Sequence, residues 1–227
     1  MRVLWLAAIF CSALAQAQGP VTVLELYTSE GCSSCPPAEA KFAALAERAD
    51  VIALAFHVDY WDDLGWTDHF GLHAAVLRQQ RYAHALGRSS VYTPQFIING
   101  SSDVLGAGAV ALPPIAALAA WRISVTADTR QVSVQVQGPA QADGSEITLV
   151  SYRDRAVTAI GRGENAGRTL SEVHIVRSIE SLGTWQGSTR TLTVARAQLP
   201  ADATGLVALL QRPGPGAMLA AAQLALR

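Results

Sequence analysis

Apolar positions in the first half of the chain fall into runs that alternate with turn-prone clusters. From Val21 to Tyr27 the sequence is rich in Val and Leu and ends at Thr28-Ser29-Glu30-Gly31, which predicts a strand closed by a turn. Pro36 and Pro37 suit the opening of a helix, where their missing N–H groups would have no partner in any case. Phe42, Leu45 and Ala49 then recur at helical spacing, so a helix is predicted from about Pro37 to Arg48. Val51 to Val58 is almost unbroken in its apolarity and is bounded by Asp50 and Asp59, as suits a strand buried on both faces of a parallel sheet. Together these pieces form a strand–helix–strand unit.

Asp59 to Trp66 has no period and reads as a loop. Leu72, Val76, Ala83 and Leu86 line one face of a helix predicted from about Asp68 to Leu86, with Asp68 as its cap and Gly87 as its stop. Thr93-Pro94 leads into the strand Gln95 to Ile98, which leaves by Asn99-Gly100, a hairpin-turn dipeptide. Leu112 to Trp121 is expected to form a closing helix.

Beyond Trp121 the texture changes. Short alternating runs appear at Val132/Val134/Val136, Ile147/Leu149, Val173/Ile175, Leu192/Val194 and Val207 to Leu210, separated by turn signals such as Asp143-Gly144 and Pro213-Gly214-Pro215-Gly216. Strands at this spacing predict a β-rich, sandwich-like or partly barrelled unit. No linker of biased composition separates the halves, so they are expected to pack together.

The amino terminus changes the setting of the molecule. Arg2, an apolar run from Val3 to Leu14 and the small-residue stretch Ala15-Gln16-Ala17 follow the order of a secretory signal. The run falls short of the roughly 20 apolar residues that span a bilayer. Cleavage after residue 17 is expected, leaving no stable membrane span and a periplasmic or secreted protein. Lipidation at Cys11 is disfavoured by the bulky Phe10 before it. Of three cysteines, cleavage removes Cys11 and leaves Cys32 and Cys35, an even pair suited to an oxidising compartment. Charged residues make up 15% of the chain and the net charge is −1, with no basic run, which argues against a nucleic-acid partner.

The spacing Cys32-Ser33-Ser34-Cys35-Pro36 lets both sulfurs meet across one turn, and a helix starting at the first sulfur would aim free N–H groups at it and favour the thiolate. Cys32 is then the attacking or attacked sulfur and Cys35 the resolving one, exchanging disulfides with the thiol or disulfide of a protein or small molecule. Two alternatives stay open at this point. The pair can be an inert structural disulfide, or it can help hold copper or zinc if other ligands converge, with His69 and His73 four apart on a predicted helical face. The exchange chemistry needs no cofactor. Glu25, the one acid inside the first strand, is a candidate acceptor for the Cys35 proton if it faces the sulfurs; otherwise it points to the sheet's polar edge. Asp59, Trp61 and Trp66 are placed to wall a substrate groove or to cover a core, and the loop with Arg162, Glu164, Asn165 and Arg168 reads as a solvated hairpin or, failing that, as a contact for a partner.

A strand, Cys-x-x-Cys-Pro at a helix start and Thr93-Pro94 before a strand resemble the thioredoxin fold. More narrowly, Glu25 to Pro37, His57-Val58-Asp59-Tyr60-Trp61-Asp62, Tyr92-Thr93-Pro94-Gln95 and Gly163 to Gly167 resemble a family of exported bacterial thioredoxin-like proteins of unknown function. The resemblance implies Cys32 as nucleophile, Cys35 as resolving thiol, and a cis Thr93–Pro94 bond that leaves Thr93 free to pair with an extended substrate segment. Ser33-Ser34 replaces the usual Gly-Pro between the cysteines, so no redox potential carries over. The expected architecture is α/β: a thioredoxin-like domain over residues 18–120, then a β-rich, sandwich-like domain over 121–227. It would act as an exported thiol–disulfide oxidoreductase.

Overall fold

The structure is a computed structural model and describes residues 21–106, 108–114, 120–140 and 144–226. The expected signal segment lies outside the described residues. Strand β1 (Thr22–Thr28) is buried along its whole length, and so is β2 (Val51–His57), which runs parallel to it from Thr22↔Val51 to Thr28↔His57. Two covered faces explain the unbroken apolar runs. On one face, helix α1 (Pro36–Ala46) brings Ala38 and Phe42 onto Leu24, Leu26, Ala53 and Ala55. On the other, helix α2 (His73–Ala85) sets Val76 and Tyr82 against Val23, Tyr27, Ile52 and Phe56.

Helix α2 starts later than its apolar pattern predicts. Asp68 does not cap it, because its carboxylate is committed to the core: it accepts the backbone N–H groups of Glu30 and Phe70 and faces His57. Leu72 stands at the N-cap instead. After it, β3 (Gln95–Ile98) pairs antiparallel with β1 and, through the Asn99-Gly100 turn, with β4 (Ser102–Leu105). Both turn residues have positive φ, 49° and 66°, which is why Asn and Gly stand there. The closing helix expected over 112–121 falls partly outside the described residues, and the described residues 112–114, 120 and 121 are not helical.

The remaining strands are β5 (Arg122–Ala127), β6 (Gln131–Gln137), β7 (Ser145–Ala159), β8 (Thr169–Trp185), β9 (Arg190–Ala195), β10 (Gly205–Gln211) and β11 (Met218–Ala225). They do not stand apart from the first half. Strand β8 runs parallel to β2, with Ala55 opposite Ile175, so one eight-stranded mixed sheet has the order β11-β10-β7-β8-β2-β1-β3-β4. A second sheet, β5-β6-β9, packs Val125, Val132, Val134 and Val136 against Leu206, Ala208, Leu210 and Leu219 of β10 and β11. The alternation of the valines in β6 has its cause there, since only one face of that small sheet meets the core. The fold is thus a mixed α/β arrangement built on one large sheet. The long β7–β8 hairpin carries its tip, residues 160–168, back to the start of α1, as the contacts below show.

Candidate functional site

The loop between β1 and α1 carries a disulfide joining Cys32 and Cys35, whose Cα atoms are 5.4 Å apart. The loop is tightened by Cys32 N–H to the Ser29 carbonyl at 3.1 Å and by Cys35 N–H to the Cys32 carbonyl at 3.2 Å. Helix α1 begins only after the second cysteine, with Cys35 as N-cap and Pro36 and Pro37 in its first turn. The expectation that the first sulfur meets free helical N–H groups is therefore corrected at Ser33, whose N–H is taken by the Glu164 carboxylate at 3.2 Å. Both cysteines are completely buried.

Behind the disulfide lies a buried set of ionisable groups. Glu39 follows Cys35 by one turn of α1, and side chains on a helix lean towards its N-terminus, so its carboxyl is carried back over the cysteine turn. It accepts the Thr28 hydroxyl at 2.6 Å, and burial, opposed in part by His57, pushes its pKa up. Burial alone would depress His57, but the Asp68 carboxylate at 2.8 Å outweighs it and raises the imidazole to about 9. Glu172 on β8 is pushed up to about 7 by burial and by the neighbouring charges of Glu30 and Glu39, with His57 pulling the other way. Glu30 uses Oε2 to accept Trp66 Nε1 at 2.7 Å and the His69 backbone N–H at 3.1 Å. Among the described residues, Glu30 Oε1, Glu172 Oε1 and Asn165 Oδ1 are buried without a hydrogen-bond partner. Four carboxyl groups around one imidazolium are costly to ionise together in a dry setting, which is the physical reason that the pKa values of Glu39 and Glu172 are pushed up.

A family model described as "Protein of unknown function (DUF1223)" matches residues 23–211. The chain belongs to the DUF1223 family. It is similar to a crystal structure of protein AGR_C_4864 from Agrobacterium tumefaciens, at 29% identity over 92% of this chain and 96% of that one, with a TM-score of 0.76. A β-glucosidase from Kluyveromyces marxianus aligns with 47% of this chain and 14% of its own at 9% identity and a TM-score of 0.24, too low to bear on fold or function. No curated protein shows significant similarity.

Against this DUF1223 framework the residues singled out from sequence separate into two groups. Thr93 and Pro94 lie at the same end of the sheet as the cysteines: the bond between them is cis, and Thr93 Oγ1 accepts Trp61 Nε1 at 2.8 Å. Trp61 also packs on the core and passes close to Gly31, where an added Cβ would meet Trp61 Cβ at 3.2 Å. Trp66 sits over Gly163 and bonds Glu30. Glu25 lies on the α2 face of β1, opposite the face that packs on α1. There Arg78 grips it with two bonds, 2.9 and 2.7 Å, and Tyr82 donates to it at 2.7 Å. Alternation along β1 turns Glu25 away from α1, and the acid on the cysteine-bearing helix is Glu39.

His69 and His73 do not share a helical face, because α2 starts at His73. His69 instead faces Glu30 at 3.0 Å and His73 faces Asp59 at 3.3 Å. The residue that sequence reasoning missed most clearly is Asn165. The tip of the β7–β8 hairpin is not simply solvated: residues 161–164 and 166–169 are exposed, yet Asn165 is buried and donates from Nδ2 to the carbonyls of Glu30 at 2.9 Å and Cys32 at 3.0 Å. Its one available signal was an amide between Gly163 and Gly167, both at positive φ, in an otherwise charged tip.

Proposed function

We propose that this protein is a thiol–disulfide oxidoreductase acting outside the cytoplasm, with a thioredoxin-like unit formed by β1, α1, β2, α2 and β3. The observation that carries the proposal is the Cys32–Cys35 disulfide at the β1–α1 turn, backed by the buried carboxyl groups of Glu39 and Glu172, whose pKa values burial pushes up. Export rests on the charge, apolar run and small residues of positions 1–17.

In the exchange, a partner thiolate attacks Cys32 Sγ, the Cys32–Cys35 bond breaks, and Cys35 leaves with the electron pair. Cys35 then takes a proton, for which Glu39 is the group on its own helix. A second partner thiolate attacks the partner sulfur of the mixed disulfide and releases Cys32. The sum is two electrons passed from two partner thiols to the protein disulfide, giving one partner disulfide and the Cys32/Cys35 dithiol; the reverse sequence oxidises the protein. Thr93 and Pro94 would flank an extended partner segment at the sulfurs. The complete burial of both cysteines favours a second reading, a binding protein with a structural disulfide.

Equilibration with glutathione or dithiothreitol buffers, followed by trapping of free thiols, separates the two. A reversible two-electron transition between about −120 and −270 mV supports exchange. A pair that stays oxidised below about −300 mV overturns it in favour of the structural disulfide.

A further inference from the structure

Besides the pairing of β8 with β2, the β7–β8 tip meets the first half of the chain at the cysteine loop. Asn165 is its only buried residue between positions 161 and 169, and it bonds the backbone of Glu30 and Cys32 on either side of Gly31. Its neighbour Glu164 is exposed, yet its carboxylate is held on the Ser33 N–H at 3.2 Å, one residue from the sulfur that a partner must reach. This bond lowers the Glu164 pKa, so the group stays charged. Arg162 and Arg168 on the same tip are exposed and their guanidinium groups have no hydrogen-bond or ion-pair partner among the described residues, so theirs are the loose charges and Glu164 the anchored one. Asp62 and Asp63 follow Trp61 on the adjoining loop and add the same sign nearby.

We propose that Glu164 is a specificity-determining residue that makes the disulfide select neutral and cationic thiols over anionic ones, with Asn165 as the latch that holds the tip closed over Cys32. The proposal rests on the exchange reading for its biological meaning. The latch explains why an exposed hairpin contains one buried amide, and why both sulfurs are covered although the flanking Ser33 and Ser34 are exposed. An attacking thiolate brings one negative charge to the sulfur. If it carries a second at its far end, it meets Glu164 twice over, whereas an ammonium group is drawn in. At a separation of about 6 Å in water, one unit charge changes the encounter by roughly threefold in either direction.

The test measures rates of disulfide reduction in the purified protein with 2-aminoethanethiol, 2-mercaptoethanol and 2-mercaptoethanesulfonate, each compared between wild type and variant so that intrinsic thiol reactivity cancels. For Glu164→Gln, the variant-to-wild-type rate ratio with the sulfonate is expected to be about threefold higher than that with 2-mercaptoethanol, and the ratio with the amine about threefold lower. In 1 M salt the wild-type ranking should collapse towards that of the variant. Asn165→Ala should speed all three thiols by about tenfold or more. Equal variant-to-wild-type ratios for the three thiols in Glu164→Gln overturn the filter, and unchanged rates in Asn165→Ala overturn the latch. Glu164 is exposed, so its variant reads the filter even if Asn165→Ala fails to fold. These rates are defined for any disulfide. A pair too reducing to equilibrate with glutathione would therefore sink the exchange reading while the charge ranking still decided the filter.

Discussion

Asn165 Nδ2 donates to the carbonyl of Cys32 at 3.0 Å, across 133 positions of sequence. The contact exists because β8 pairs with β2 and so draws its hairpin partner β7 and their shared tip over the β1–α1 turn. A site that looks local, two cysteines separated by two serines, is therefore finished by a residue of the second half of the chain.

The asymmetry of the two cysteines gives the first prediction. Cys35→Ser should form a stable mixed disulfide between Cys32 and a small thiol, seen as the corresponding mass increase and removed by dithiothreitol. Cys32→Ser should accumulate far less, because Cys35 opens α1 beneath the loop. Equal trapping by the two variants would contradict Cys32 as the attacked sulfur.

The assignment of the Cys35 proton to Glu39 rather than Glu25 is tested by Glu39→Gln. The amide keeps an acceptor for the Thr28 hydroxyl, so folding should persist. Reoxidation of the dithiol by a small disulfide should slow by about 10²-fold near neutral pH and lose its dependence on an acidic group. A rate profile identical to that of the wild type would remove Glu39 from the mechanism.

Glu25 has a different and purely structural consequence. It is buried with Arg78, Tyr82 and Tyr27 around it, and Gln211 of β10 also accepts from Arg78 at 3.2 Å. Arg78→Met leaves that carboxylate uncompensated and should lower unfolding free energy by about 3–5 kcal/mol in urea titration. Changing both partners to apolar residues should recover much of the loss. A cost below about 1 kcal/mol for the single change would show that water reaches Glu25.

Stability should fall as pH rises from about 4.5 to 9. Glu172 has a folded pKa of about 7 against 4.5, so its contribution is complete below 4.5 and lost as pH rises through 7. His57, at about 9 against 6.5, contributes fully below 6.5 and loses that contribution as pH rises through 9. In both windows the folded state binds the extra proton, which is the condition for stability to decrease with pH. At about 1.4 kcal/mol per pKa unit, each group accounts for on the order of 3–4 kcal/mol at most. Chemical denaturation at stepped pH should show the slope, and Glu172→Gln should flatten its lower half. A flat profile from pH 5 to 8 in the wild type would refute this account.

The elements with a complete local cause were legible in the sequence. Doubly buried β1 and β2 announce themselves as apolar runs, the prolines mark the start of α1, Asn99-Gly100 marks its turn, and the valines of β6 report a sheet with one covered face. The joining of Cys32 to Cys35 was legible in their spacing. What the sequence did not show were β4, β5 and β11 as separate strands and the full length of β7 and β8, since the exposed outer parts of that hairpin carry mixed polar residues without a period.

Tertiary structure alone decided the rest. Whether Glu25 faces α1 or α2 depends on the phase of alternation in β1, and a shift of one residue would have turned it onto the α1 face. Asp68 was readable as a helix cap, but pairing with His57 and the Glu30 N–H offered a buried carboxylate more than a helix end does. The buried titratable set of Glu39, His57 and Glu172 comes from α1, β2 and β8, and the amide that bonds the Cys32 carbonyl comes from a tip more than 100 residues away in sequence. Local pattern determines which faces seek burial and where turns fall; it carries no information on which distant polar groups are brought together in a dry interior. That depends on sheet order, set here when β8 took its place beside β2.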